Sequence, residues 1–141
     1  RVIDIDLSAC FHIAQRAARL MVAQGGGRIV NMSSIMNHVS RPNLVPYVTA
    51  KGALAAMTRA MATDLAGTGV TVNALAPGYT VTEFSEAKKK DFHDFIADWT
   101  PCRLWGQPDD LVGAAVFLCA PASAYVTGQV LYVDGGYLAS I

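Results

Sequence analysis

From the start of the chain, apolar residues recur at helical spacing: Ile3, Leu7, Phe11, Ala14, Ala18 and Met21. The pattern predicts a helix over residues 3–23, ended by Gly25, Gly26 and Gly27, because glycine accepts the positive φ that follows a helix. A phosphate-cradling glycine loop follows a strand and opens a helix; this triplet has the reverse order. Residues 28–33 (RIVNMS) read as a short buried strand, and residues 34–46, with two prolines and several polar side chains, as a loop. A second long helix, rich in Ala, Leu and Met, is predicted over 47–66, starting after Pro46 and stopping at Gly67 and Gly69. Residues 70–76 (VTVNALA) form the next predicted strand, stopped by Pro77 and Gly78. Beyond it the pattern is less regular. Residues 82–99 predict helix and 101–108 a loop. A further helix starts at Asp109 or Asp110, runs through Leu118 and ends near Pro121. Residues 129–133 (QVLYV) read as a third strand.

Strands of nearly continuous apolar residues separated by helices predict a parallel sheet covered on both faces, joined by right-handed crossovers. The fold class is α/β, in a single domain over 1–141. In such sheets ligands bind beyond the carboxyl ends of the strands. Ser33, Ser34, Pro77 and Gly78 fall there. The chain runs from Arg1 straight into a helical pattern with no strand before it. The expectation is therefore the C-terminal part of a domain rather than a whole one.

Composition narrows the function classes. Lys and Arg total 11, as do Asp and Glu, so the formal net charge is zero. That balance offers no basic face for nucleic acid or an anionic membrane. The cluster Lys88-Lys89-Lys90, followed by Asp91, reads as a solvated helix face. No segment approaches the roughly 18 apolar residues of a membrane span, and no secretory signal opens the chain. Cys10, Cys102 and Cys119 are scattered without a C-x-x-C, and His12, His38 and His93 are dispersed, so neither disulfides nor a metal site is expected. The cysteines read as buried, reduced thiols of a cytoplasmic protein.

Tyr47 and Lys51 lie four residues apart on one predicted helix and share a face. A free tyrosine ionises near pH 10, so proton transfer near neutrality calls for a nearby cation. An ammonium about 4 Å away at an effective dielectric of about 20 supplies roughly 4 kcal/mol, most of what is needed. Alone, Y-x-x-x-K more often means a packed ring beside a snorkelling lysine. Ser34, at a strand end thirteen residues earlier, adds a hydroxyl suited to orienting a substrate carbonyl.

Ser33-Ser34, Tyr47-Val48-Thr49-Ala50-Lys51, N-A-L-A-P-G at 73–78 and T-G-Q-V-L-Y-V-D-G-G at 127–136 resemble, in order and spacing, the short-chain dehydrogenase/reductase family. The resemblance covers essentially the whole chain. It implies a Rossmann-like doubly wound sheet and NAD or NADP as cofactor. It implies Tyr47 as general acid or base, Lys51 on the nicotinamide ribose and Ser34 orienting the substrate. Tyr47, Lys51, Pro77, Gly78, Thr80 and Thr82 are the implied cofactor contacts. A homotetramer is implied too, and the apolar helices 3–23 and 47–66 agree with subunit contacts.

Two departures stand out. The family usually has asparagine where this chain has Asp6, and that asparagine helps hold a water linking the lysine to solvent. Asp6 adds a negative charge near Lys51 and offsets part of its effect on Tyr47. The family's T-G-x-x-x-G-x-G and N-N-A-G segments, which carry the pyrophosphate site, are absent from these residues. Tight dinucleotide binding by this chain alone is not expected.

The segments 41–47 and 103–118 are similar to members of the gluconate 5-dehydrogenase type. The expected reaction is the interconversion of a secondary alcohol and a ketone, on a sugar acid or polyol. The alternatives are 3-oxoacyl-acyl-carrier-protein reductase and a catalytically silent fragment or oligomerisation scaffold of the same fold. His38 and Arg41 lie in the loop before Tyr47. Arg41 there either pairs with a substrate carboxylate or is a plain surface arginine.

Overall fold

The computed structural model describes residues 1–86 and 90–141. Three parallel strands, β1 (Gly27–Met32), β2 (Val70–Pro77) and β3 (Val130–Val133), form one sheet in the order β1-β2-β3. Gly27 stands opposite Val70 and Met32 opposite Leu75; Ala74 stands opposite Val130 and Pro77 opposite Val133. Helix α1 (Cys10–Ala23) leads into β1, and α2 (Val45–Asp64) crosses from β1 to β2. Between β2 and β3 lie α3 (Glu83–Glu86), α4 (Lys90–Trp99) and α5 (Val112–Cys119). The expected α/β arrangement is the one formed.

Side chains alternate across each strand, which decides what each helix meets. Ile29, Val70 and Val72 face Ala14 and Ala18 of α1, with Met21, Met61, Ala62 and Leu65 packed around them. Small alanines on α1 let that helix lie close to the strands. β2 is central, and its residues Val70 to Ala76 are all buried, as expected of a strand paired on both edges. α5 also lies against β1 and β2. Leu54, Leu75 and Leu118 are almost completely enclosed.

Several boundaries differ from the sequence reading, each for a physical reason. The first predicted helix opens as a π-helical turn (Asp4–Ala9) before α1; such wide turns gather at functional sites, and this one carries Asp6. Helix α2 starts at Val45, not after Pro46, because proline is well tolerated in a first turn. Residues 82–99 hold two helices rather than one. The helix expected from Asp109 begins with a 3₁₀ turn, Pro108–Leu111, in which the Gln107 N–H donates to the Asp110 carboxylate at 2.7 Å. Cys10 is half-buried and Cys102 and Cys119 are exposed free thiols, not buried ones. They sit on helix α1, at the turn after α4 and at the end of α5, on outward faces.

Lys88 and Lys89 lie outside the described residues; Lys90 is exposed and pairs with Asp94 at 2.6 Å, one helical turn on. Among the described residues no helix is long and apolar enough to cross a membrane, and no three His, Cys, Asp or Glu side chains gather as a metal site would require.

Candidate active site at the strand ends

The carboxyl ends of β1 and β2 open into a cleft of about 540 Å³. Ser34, Tyr47, Asp6, Gly78, Thr80 and Thr82 all line it. Residues separated by up to 76 positions in sequence are thus brought to one wall.

Ser34 leaves β1 in extended conformation (φ −165°) and caps the 3₁₀ turn Ile35–Asn37, its Oγ accepting the Met36 N–H at 3.2 Å. That contact uses a lone pair and leaves the hydroxyl proton to donate. Ser33, its neighbour, does a different job. Its Oγ accepts from Asn37 Nδ2 at 3.0 Å and donates to the Lys51 carbonyl at 3.4 Å. Asn37 in turn accepts the Tyr132 hydroxyl of β3 at 2.7 Å. The loop after β1 is therefore tied to both α2 and β3.

Tyr47 and Lys51 follow on successive turns of α2, as their spacing predicts. The Lys51 ammonium lies 5.5 Å from the centroid of the Tyr47 ring. Lys51 is buried, its side chain only 10% exposed, so its charge needs partners. It donates to the Met32 carbonyl at 3.1 Å and pairs with Asp6 Oδ1 at 3.1 Å. The negative charge expected near Lys51 thus meets it directly. The two charges offset one another at the foot of Tyr47.

β2 ends at Pro77, and Gly78 turns away under β3. A Cβ on Gly78 would stand 2.6 Å from the Asp134 Cα, so glycine is required by the close approach of two backbones. Thr80 Oγ1 donates to the Gly78 carbonyl at 3.2 Å. Thr82 and Ser85 cap α3 mutually: Ser85 N–H donates to Thr82 Oγ1 at 3.3 Å, and Thr82 N–H to Ser85 Oγ at 2.7 Å. The residue implied as a cofactor contact is also a helix cap.

The other wall is aromatic. Tyr79 meets Phe92, Trp105 and Tyr137 with ring centroids 6.0, 5.2 and 5.4 Å apart. His93 stacks on Trp105 at 4.2 Å, which gives that dispersed histidine a packing role. Burial, and next the neighbouring Tyr79, raise the Tyr137 phenol above its ordinary value. Arg41 joins this wall, whereas His38 is exposed. The aromatic wall was not foreseen. Its one sequence signal is the spacing of bulky rings at 79, 92 and 105 through a stretch without periodicity.

Residues 1–138 match the family model described as enoyl-(acyl carrier protein) reductase. The chain is 43% identical over 142 residues to a gluconate 5-dehydrogenase of Gluconobacter oxydans, covering 99% of this chain and 56% of that protein. It is 41% identical to a galactitol 2-dehydrogenase (L-tagatose-forming) of Cereibacter sphaeroides, covering 97% of this chain and 56% of that one. Among solved structures, a gluconate 5-dehydrogenase from Burkholderia cenocepacia, in complex with NADP and tartrate, superposes with a TM-score of 0.93 at 42% identity. It is matched over 96% of this chain and 54% of its own. The chain thus spans a little over half the length of these relatives. With sequence, layered sheet and strand-end cleft in agreement, the chain belongs to the short-chain dehydrogenase/reductase family.

Proposed function

We propose that this chain forms the catalytic part of an NAD- or NADP-dependent oxidoreductase that interconverts a secondary alcohol and a ketone on a sugar acid or polyol. One observation carries the reading. A phenol, a free serine proton and an ammonium over the phenol's ring converge at the carboxyl end of a parallel sheet. That is the chemistry needed to hold a carbonyl and move its proton. The relatives named for gluconate and galactitol support the substrate class.

The residues at the strand ends fit a nicotinamide ribose. Lys51 has three N–H donors and uses two on Met32 and Asp6. Tyr47 and the lone pairs of Thr80 Oγ1 face the same cleft. Pro77, Gly78 and Thr82 complete the rim. The nicotinamide, when bound, supplies or accepts the hydride. Contacts for a pyrophosphate are another matter: Gly25 to Gly27 follow a helix and precede a strand, the wrong polarity for cradling phosphate.

In reduction Ser34 donates to the substrate oxygen and polarises the carbonyl. Tyr47 gives its proton to that oxygen as negative charge develops. In oxidation Tyr47 takes the proton back. Lys51 stabilises the phenolate left on Tyr47, and Asp6 tempers that stabilisation. Assay of the enzyme with gluconate and galactitol, followed by nicotinamide absorbance, tests the reading. Turnover that survives Tyr47→Phe unchanged refutes it.

The same reading places the enzyme in the cytoplasm as a homotetramer. Phe11, Ile13 and Leu20 of α1 are exposed and fit a second copy, whereas α2 exposes only Val45 among its large apolar side chains. A monomeric mass by sedimentation counts against the assembly.

A further inference from the structure

Among the described residues Arg41 is the cationic side chain on the cleft lining, with Lys51 buried behind Tyr47, and proton transfer makes no use of Arg41. It lies in the loop between β1 and α2, just before Pro42 and Asn43. The turn is fixed by Asn43, whose φ of 67° is a conformation that asparagine tolerates well. Two contacts from distant segments then place the guanidinium. Its Nη1 donates to the Tyr79 hydroxyl at 3.3 Å, and its Cζ lies 4.3 Å from the Phe92 ring centroid. An aromatic face fixes the plane of a guanidinium and leaves its edge open. One of five N–H donors is engaged by Tyr79, so the forked edge remains for a planar anion.

The charges in the cleft are unevenly compensated. Lys51 is matched by Asp6 at 3.1 Å. Among the described residues no carboxylate lies within 4.0 Å of Arg41. An arginine fixed against two aromatic residues in a substrate cleft, with no carboxylate on it among the described side chains, is suited to an anion carried by the substrate.

We propose that Arg41 anchors the carboxylate of the substrate, and so selects a hydroxy or keto acid over the corresponding polyol. The acid is one whose carboxylate and reacting carbinol are separate groups: Ser34 and Tyr47 take the carbinol while Arg41 holds the carboxylate. Arg41 is then a specificity-determining residue. The assignment of the reacting end rests on the oxidoreductase reading above; the assignment of the anchored end rests on Arg41.

The test compares gluconate with glucitol, which differ by a carboxylate in place of a primary alcohol. Calorimetric titration of the full-length protein, saturated with nicotinamide cofactor, gives the two affinities. The native protein is expected to prefer gluconate at least tenfold. Arg41→Ala should weaken gluconate binding by about tenfold or more, the range of a lost charge-assisted bond. Glucitol affinity should stay within about twofold, and Arg41→Lys should recover part of the loss because a point charge lacks the fork. Arg41 is exposed, and an unchanged circular dichroism spectrum confirms that the variant folds. Equal losses for both ligands, no loss for either, or no gluconate preference in the native protein overturns the proposal.

Turnover separates the two readings. If Tyr47-dependent oxidation persists while Arg41→Ala leaves the acid preference intact, only the anchor fails. If the acid preference depends on Arg41 but no alcohol is ever oxidised, only the oxidoreductase reading fails.

Discussion

The two walls of the cleft are built by different means. The wall of Ser34 and Tyr47, with Lys51 behind it, hangs from strand ends and one long helix; the Met36 N–H donates to Ser34, and Lys51 donates to the Met32 carbonyl and pairs with the Asp6 carboxylate. The wall of Tyr79, Phe92 and Trp105 comes from the irregular stretch after β2, is backed by Tyr137 from the turn after β3, and is held by ring contacts. Hydrogen bonds fix direction steeply, whereas ring contacts tolerate sliding. A proton donor needs the first kind of support. A surface that shapes itself around a substrate is served by the second.

This contrast can be broken most sharply at Tyr47. Tyr47→Phe is expected to lower kcat by roughly 10²–10⁴, the range for a lost general acid, with little change in KM; a similar fall in binding alone would erase the difference between walls. Ser34→Ala should cost about 10²-fold in kcat, as removal of an oxyanion donor does. On the other wall Trp105→Ala should raise KM by about tenfold and leave kcat within about threefold, because it removes uniform binding; steady-state kinetics reads both.

A smaller effect is expected from Asp6→Asn. Removing the carboxylate leaves the Lys51 charge less compensated. Activity of the variant should then rise above that of the native protein, and equal kcat for the two would remove the idea. The smallest effect belongs to Tyr137. Burial and Tyr79 hold its phenol above the ordinary value of 10.0, so folding favours the protonated form. That stability is complete below about pH 10 and is lost as pH rises through the raised value. Tyr137→Phe should flatten the alkaline decline of the denaturation midpoint.

The same contrast explains what was legible in the sequence. Periodicity carries local information, and the i, i+4 pairing of Tyr47 with Lys51 is local. The strands announced themselves because a buried parallel strand is a short apolar run. The ion pair between Asp6 and Lys51 joins residues 45 positions apart, and Asp6 sits in a π-helical turn that no spacing rule foretold. The aromatic wall has no helical or strand period: its rings meet only once β2, α4 and the turn after β3 are assembled. For Arg41 the sequence left a substrate partner and a plain surface arginine both open; the Phe92 ring and the Tyr79 hydroxyl, which the fold brings to it, are not local to it in sequence. The cysteines misled because burial tendency is a property of a residue type, whereas exposure is decided by which side of a helix faces outward.

The Tyr132–Asn37–Ser33 chain of hydrogen bonds carries one more consequence. Ser33 is bonded to the backbone of the helix turn that bears Lys51, and Asn37 receives its last partner only when residues 130–133 join the sheet. The edge strand β3 thus braces, through two side chains of the loop after β1, the turn of α2 that bears Lys51. Loss of the Tyr132 hydroxyl would be felt on the far side of the sheet, at that turn.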